Sequence, residues 1–182
     1  MVSISQSLRT LVETKVSPAI AANPNVSFGN GLAKAVYFEH GTATQIVQLL
    51  MEYCTSPAKA NARYPMIALI RNFVEEDYEE SAGISTKADV RIVICSLTKP
   101  EYRPDEREIE SFNKVLKPIY KEFINQLRQS VVFGQPNFDS FRIKRIDQYA
   151  WGKEQLVNLP DYIDAIDLLR ISLNVHDIQL CA

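Results

Sequence analysis

Cysteine, histidine and tryptophan are scarce in this 182-residue chain, at three, two and one. Cys54, Cys95 and Cys181 are odd in number and far apart, with no CxxC. That excludes a disulfide framework and a thiolate zinc site, and it fits reduced cysteines in a cytosolic fold. Neither His40 nor His176 has a second histidine three or four residues on, so zinc-binding spacing is missing. No metal and no other cofactor is expected. Only six glycines occur, and GxGxxG, GxxxxGK[ST] and GxSxG are all absent. A phosphate cradle and a nucleophile elbow are therefore unsupported. No apolar run approaches the ~20 residues that span a bilayer. The opening MVSISQSLRTLVETK lacks a basic region followed by an unbroken apolar stretch, so a secretory signal is not expected. Charge of one sign is missing too: 20 basic and 22 acidic side chains leave a net charge of −2. A protein that draws its affinity from DNA phosphates carries a basic excess, so general nucleic-acid binding is disfavoured.

Hydrophobic residues make up 46% and charged residues 23%, the balance of a globular chain with one core. A single domain over 1–182 is expected, with an N-terminal helix in 1–23 and an α+β core in 28–178. In residues 3–22, Leu8, Leu11, Val12 and Val16 fall at helical spacing, and Pro18 is expected to kink or end that helix. A short strand is expected over Leu32 to Phe38. Thr42 and Gln45 form a capping-box pattern before Ile46, Leu49, Leu50 and Tyr53, one apolar helical face. Tyr64 to Ile70 and Val90 to Leu97 read as strands bracketing a polar stretch, as an extended hairpin. A long helix over 105–130 carries Ile109, Phe112, Leu116, Tyr120, Phe123 and Leu127, with a kink or break expected at Pro118. Phe141 to Ile146 alternates as a strand. Tyr162 to Val175 is the last strand, and its alternation requires a bulge around 164–168. The expected fold is α+β: an antiparallel sheet of about four to five strands packed against two to three helices in two layers, with a long hairpin between central strands.

Two charged segments stand out. Glu75, Glu76, Asp77, Glu79 and Glu80 crowd like charges around Tyr78, which favours an extended, solvated loop at a hairpin tip. Arg142, Lys144 and Arg145 form the opposite patch. In a symmetric ring, the basic patch of one subunit can meet the acidic segment of the next in a heterologous contact. Against that stands the plainer reading of two solvated faces. Asp161, Asp164 and Asp167 would hold a hard cation on a helix, but in a strand Asp164 points away from the other two. Glu39 and His40 could form a proton-transfer pair, though a partly exposed histidine near a helix start is the simpler account. An enzymatic alternative, a small hydrolase or transferase, places its site in the 134–161 loops with Asp139, Asp147, Tyr149 and Trp151. A third reading is a monomeric regulatory domain that binds one protein partner.

A series of segments carries a resemblance: Val36-Tyr37-Phe38-Glu39-His40-Gly41, then Tyr64-Pro65-Met66-Ile67-Ala68-Leu69, then Leu97-Thr98-Lys99-Pro100-Glu101-Tyr102. It continues with Lys117-Pro118-Ile119-Tyr120, Tyr149-Ala150-Trp151-Gly152-Lys153 and Tyr162-Ile163-Asp164-Ala165-Ile166. Over roughly 36–175 the chain resembles structural proteins of tailed bacteriophages of the crAss-like type, and its element order resembles the tail-terminator and tail-completion family. The resemblance implies a non-enzymatic virion protein of the neck or tail, assembled in the host cytoplasm. It implies a homo-oligomeric ring, six-fold or twelve-fold, stacked on portal, adaptor or tail ring proteins, with DNA passing through unbound and no membrane contact. The acidic segment would then face the lumen or an adjoining ring, and residues 1–22 would dock on their own sheet or on a neighbour. No catalytic residue carries over from it.

Overall fold

The computed structural model describes residues 3–28, 35–53, 63–80, 83–133, 141–149 and 162–176. Of the 134–161 loops, only 141–149 are among the described residues. Helix α1 spans 4–22, and a short strand β1, Tyr37–Gly41, leads into helix α2, Ala43–Tyr53. Strands β2, Met66–Ile70, β3, Glu76–Glu80, and β4, Gly83–Leu97, follow. Helix α3 spans 104–129, and strands β5, Arg142–Ile146, and β6, Ile163–His176, close the chain. The sheet order is β1-β2-β4-β6-β5, with β3 also paired to β4.

The α+β architecture expected from the sequence is the one the chain adopts, with two refinements. First, β1 lies further along than 32–38 and pairs with β2 in parallel, while the other pairings are antiparallel. The crossover through α2 makes the parallel pair possible, because strands running the same way need a long connection. Thr42 starts that helix as its spacing predicts: the Thr42 N–H donates to Gln45 Oε1 at 2.9 Å, and the Gln45 N–H donates to Thr42 Oγ1 at 3.2 Å. Second, the central strands are covered on both sides, so there are three layers rather than two. On one face α1 and α3 bury Ile4, Leu8, Val12, Phe112, Leu116 and Phe123 against Ile67, Leu69, Ile92, Ile94, Ile166 and Leu168. On the other, α2 packs Ile46, Val47 and Leu50 on Met66, Ala68, Val93 and Ala165. This explains why Met66–Ile70 is buried at every position, the mark of a strand with apolar layers on both sides.

Neither proline ends its helix. In α1 a π-helical stretch, Val12–Val16, precedes Ser17-Pro18, and the Ser17 N–H donates to the Val12 carbonyl five residues back. In α3 a π-helical stretch, Glu108–Leu116, precedes Lys117-Pro118, and the Lys117 N–H donates to the Phe112 carbonyl. The same device serves both. A turn closed at i−5 is wider than one closed at i−4, which eases the clash of the proline ring with the preceding turn. It also shifts the helical phase. Ile109, expected in the apolar stripe, is exposed, and Val115 and Ile124 are buried instead.

The expected slip in the last strand is present, slightly later than 164–168. Val90 pairs with Ile171 and Ile92 with Leu168, so Leu169 and Arg170 stand opposite Arg91 alone. Arg170 takes the left-handed conformation at φ 60. Before the bulge, Ile166 and Leu168 face α1 and α3; after it, Ile171, Leu173 and Val175 do. The extra residue resets the parity, as two residues against one must.

Candidate functional site

The acidic segment is not a loop. Residues 76–80 form β3, paired in antiparallel register with Gly83–Lys87 at the start of β4. The acids are solvated on a hairpin arm as expected, but as a strand, because pairing with β4 supplies the backbone partners that a loop would take from water. Alternation then splits the acids. Glu76 and Tyr78 lie on the α2 face with Lys87 and Ser85, whereas Asp77 and Glu79 lie on the other. Tyr78 donates its hydroxyl to Glu76 Oε2 at 2.6 Å, and Lys87 Nζ sits 4.6 Å from the Tyr78 ring centroid. That hydrogen bond to the carboxylate raises the Tyr78 pKa. Thr86 Oγ1 donates to Asp77 Oδ1 at 2.7 Å.

Glu75 stands apart from the acids expected to face a lumen or a partner. Its Oε1 accepts the Ile4 N–H at 3.0 Å and the Ser3 hydroxyl at 3.4 Å. Helix α1 has no acidic residue in its own first turn. A carboxylate from 71 positions along the chain supplies what the positive helix end attracts. Replacing Glu75 with alanine is expected to cost about 1 kcal/mol. Hydrogen exchange should report the loss as faster exchange at the first amides of α1.

The basic patch also divides. Strand β5 pairs with β6 along one edge, and Arg142, Ile143, Lys144 and Arg145 are all exposed. Lys144 lies opposite Asp167 on the α2 face, with Arg142 two positions away on the same side. Arg145 points the other way. Its guanidinium pairs with Glu108 and lies 4.8 Å from the centroid of the Phe112 ring, so part of its charge is already engaged by α3. Glu108 also accepts from Lys117 Nζ at 2.7 Å. The sequence did not separate Arg145 from its neighbours because the partner, α3, is more than thirty residues away.

The remaining candidates resolve into structural roles. Asp164 and Asp167 face opposite sides, as expected in a strand, while Asp161 lies outside the described residues. Asp164 is fully buried and accepts from Arg107 Nη1 at 2.7 Å and from the Gln148 N–H at 3.1 Å. Asp167 forms a two-point pair with Arg91, Nε to Oδ1 at 2.9 Å and Nη2 to Oδ2 at 2.7 Å. Among the described residues no group of three His, Cys, Asp or Glu side chains could hold a metal ion. Glu39 accepts from Arg63 at 2.5 Å, whereas His40 lies on the opposite face of β1, its ring near Phe38. They are not a proton-transfer pair: His40 is exposed near the end of β1, three residues before α2 begins.

Of the alternative enzymatic set, Asp139 and Trp151 lie outside the described residues. Asp147 is exposed in a turn, and Tyr149 is buried. Burial pushes the Tyr149 phenol up to about 12, against the opposing pull of Arg91. A phenol so placed stays protonated near neutrality and is a poor base. Its unfolded form ionises from about pH 10, so stability is full below that pH and declines as pH rises to about 12. The expected loss is about 2 kcal/mol, removed in Tyr149→Phe. Denaturant titrations of both proteins across that window measure it. Burial also pushes the Cys95 thiol up, which leaves it inert. A groove of about 630 Å³ beside β3 is lined by Phe73, Lys87, Asp89, Ser172 and Asn174, but the Asp89 carboxylate already accepts from Ser172.

Among the described residues three strands have an open outer edge, β1, β3 and β5, and charge of one sign gathers on two of them. The outer edge of β3 is acidic, the outer edge of β5 is basic, and among the described residues neither is paired on its outer side. Among these residues no helix is long and apolar enough to cross a membrane. The sequence matches no known protein-family profile, and a search of curated proteins finds no match.

Proposed function

We propose that this chain is a structural ring subunit in the neck or tail of a tailed bacteriophage, joining the portal to the tail around the DNA channel and acting without turnover. The observation that carries the reading is the pair of open strands on opposite sides of one sheet, acidic β3 and basic β5. Two different surfaces on one subunit that complement each other make a heterologous contact, which closes into a ring when the rotation between subunits allows. The segment series from Val36 to Ile166 supports the phage assignment by resemblance. Near-balanced charge suits a channel wall, since a wall that gripped phosphates would slow the passage of DNA. Its partners are further copies of itself, in a six-fold or twelve-fold ring, and the portal, adaptor or tail rings above and below. Its place is the virion, after assembly in the host cytoplasm.

The test is quantitative mass spectrometry of purified virions, with electron microscopy of the neck and tail. The expected result is the chain in a copy number that is a multiple of six, in density on the particle axis. Its absence from virions that are otherwise complete overturns the reading.

A further inference from the structure

We infer that neighbouring copies join by strand pairing, β5 of one copy adding antiparallel to the outer edge of β3 of the next, so that one sheet continues through the ring. This deepens the proposed function and rests on it. Strand direction is the first argument. Strand β3 runs antiparallel to β4, β4 to β6, and β6 to β5, so β3 and β5 point in opposite directions within one sheet. A neighbour placed by rotation so as to extend the sheet presents its β5 antiparallel to β3. Both strands are five residues long.

Faces are the second argument. On the α2 side, β3 carries Glu76 and Tyr78, and β5 carries Arg142, Lys144 and Ile146. On the other side, β3 carries Asp77 and Glu79, and β5 carries Ile143 and Arg145. Full overlap puts Tyr78 opposite Lys144 and Asp77 opposite Arg145, with the helical layers of successive copies on matching sides. Directly opposed unlike charges support such a pair, and like charges oppose it.

Sign is the third argument. Charged edges commonly guard against unwanted pairing. Here the guard is selective. Two β3 edges repel each other and so do two β5 edges, which removes the symmetric dimers. Of the pairings between these two edges, β3 with β5 is the attractive one, and it is the heterologous contact that a ring requires.

The test uses the full chain in two variants. One carries Glu76→Lys, Asp77→Lys and Glu79→Lys, and the other carries Arg142→Glu, Lys144→Glu and Arg145→Glu, so that each strand reverses its sign; thermal unfolding first establishes that both fold. Sedimentation then measures association of the wild type, of each variant alone and of an equal mixture. The wild type is expected to associate, and each variant alone to associate at least about tenfold more weakly. The mixture should recover wild-type association, because each basic β3 then meets an acidic β5 and the reverse. A wild type that assembles while both variants assemble equally well overturns the strand pairing and leaves the ring standing. A mixture that fails to recover does the same. A wild type that stays monomeric at the highest attainable concentration overturns the strand pairing, and its absence from virions as well overturns both.

Discussion

A chain lacking residues 1–22 should fail to fold. Helix α1 contributes Ile4, Leu8, Leu11, Val12, Val16 and Ile20 to the core, every one of them buried. Each such side chain contributes about 1.5–3 kcal/mol when removed from water. Together they account for about 9–18 kcal/mol, as large as the whole stability of a typical domain, about 5–15 kcal/mol. Circular dichroism of the truncated chain should show no cooperative thermal transition, and limited proteolysis should degrade it throughout. A truncated chain that melts cooperatively would contradict this account. The sequence allowed residues 1–22 to reach a neighbour as an arm; the structure places residues 4–22 on their own sheet, with Glu75 holding the helix start.

The second large effect concerns Arg107 and Asp164, an ion pair with side-chain exposures of 6% and 0% between α3 and β6. Taking two charges out of water is costly, and their mutual attraction offsets the cost only while both are present. Removing one leaves the other buried without a counter-charge. Asp164→Ala should therefore destabilise by about 3–5 kcal/mol, with Arg107→Met close behind. Asp164→Ala also strips the Gln148 N–H of its acceptor. The double variant, Arg107→Met with Asp164→Leu, should recover most of the loss, because it strands no charge. Urea denaturation of the four proteins measures the two losses and the recovery. Single variants that cost under about 1 kcal/mol would mean that water reaches the pair.

What the sequence made legible follows from contrast between neighbouring residues. The capping box of Thr42 and Gln45 is local, and the structure has it bond for bond. The parity conflict in the last strand was visible because apolar and polar residues alternate sharply around it. The acidic strand was invisible for the opposite reason. Glu76 to Glu80 is polar on both faces, so its alternation has no contrast, and charge crowding argues for a loop. Its strand state comes from pairing with 83–87. The third layer did leave a trace, an unbroken apolar run at Met66–Ile70, since a strand with a wet face would alternate. The candidate edges were legible as charge, but not as edges. Which strand is outermost is a property of sheet order, and no residue in β3 or β5 encodes it alone.

The bulge at Leu169 and Arg170 constrains how this gene can change. Removing one of the two would rotate everything downstream by half a turn, sending Ile171, Leu173 and Val175 outward and Ser172 and Asn174 into the core. Adding a single residue there would do the same. Inherited length variation in this strand must therefore come in pairs, and an odd insertion or deletion should survive only with a second one close by that restores the count.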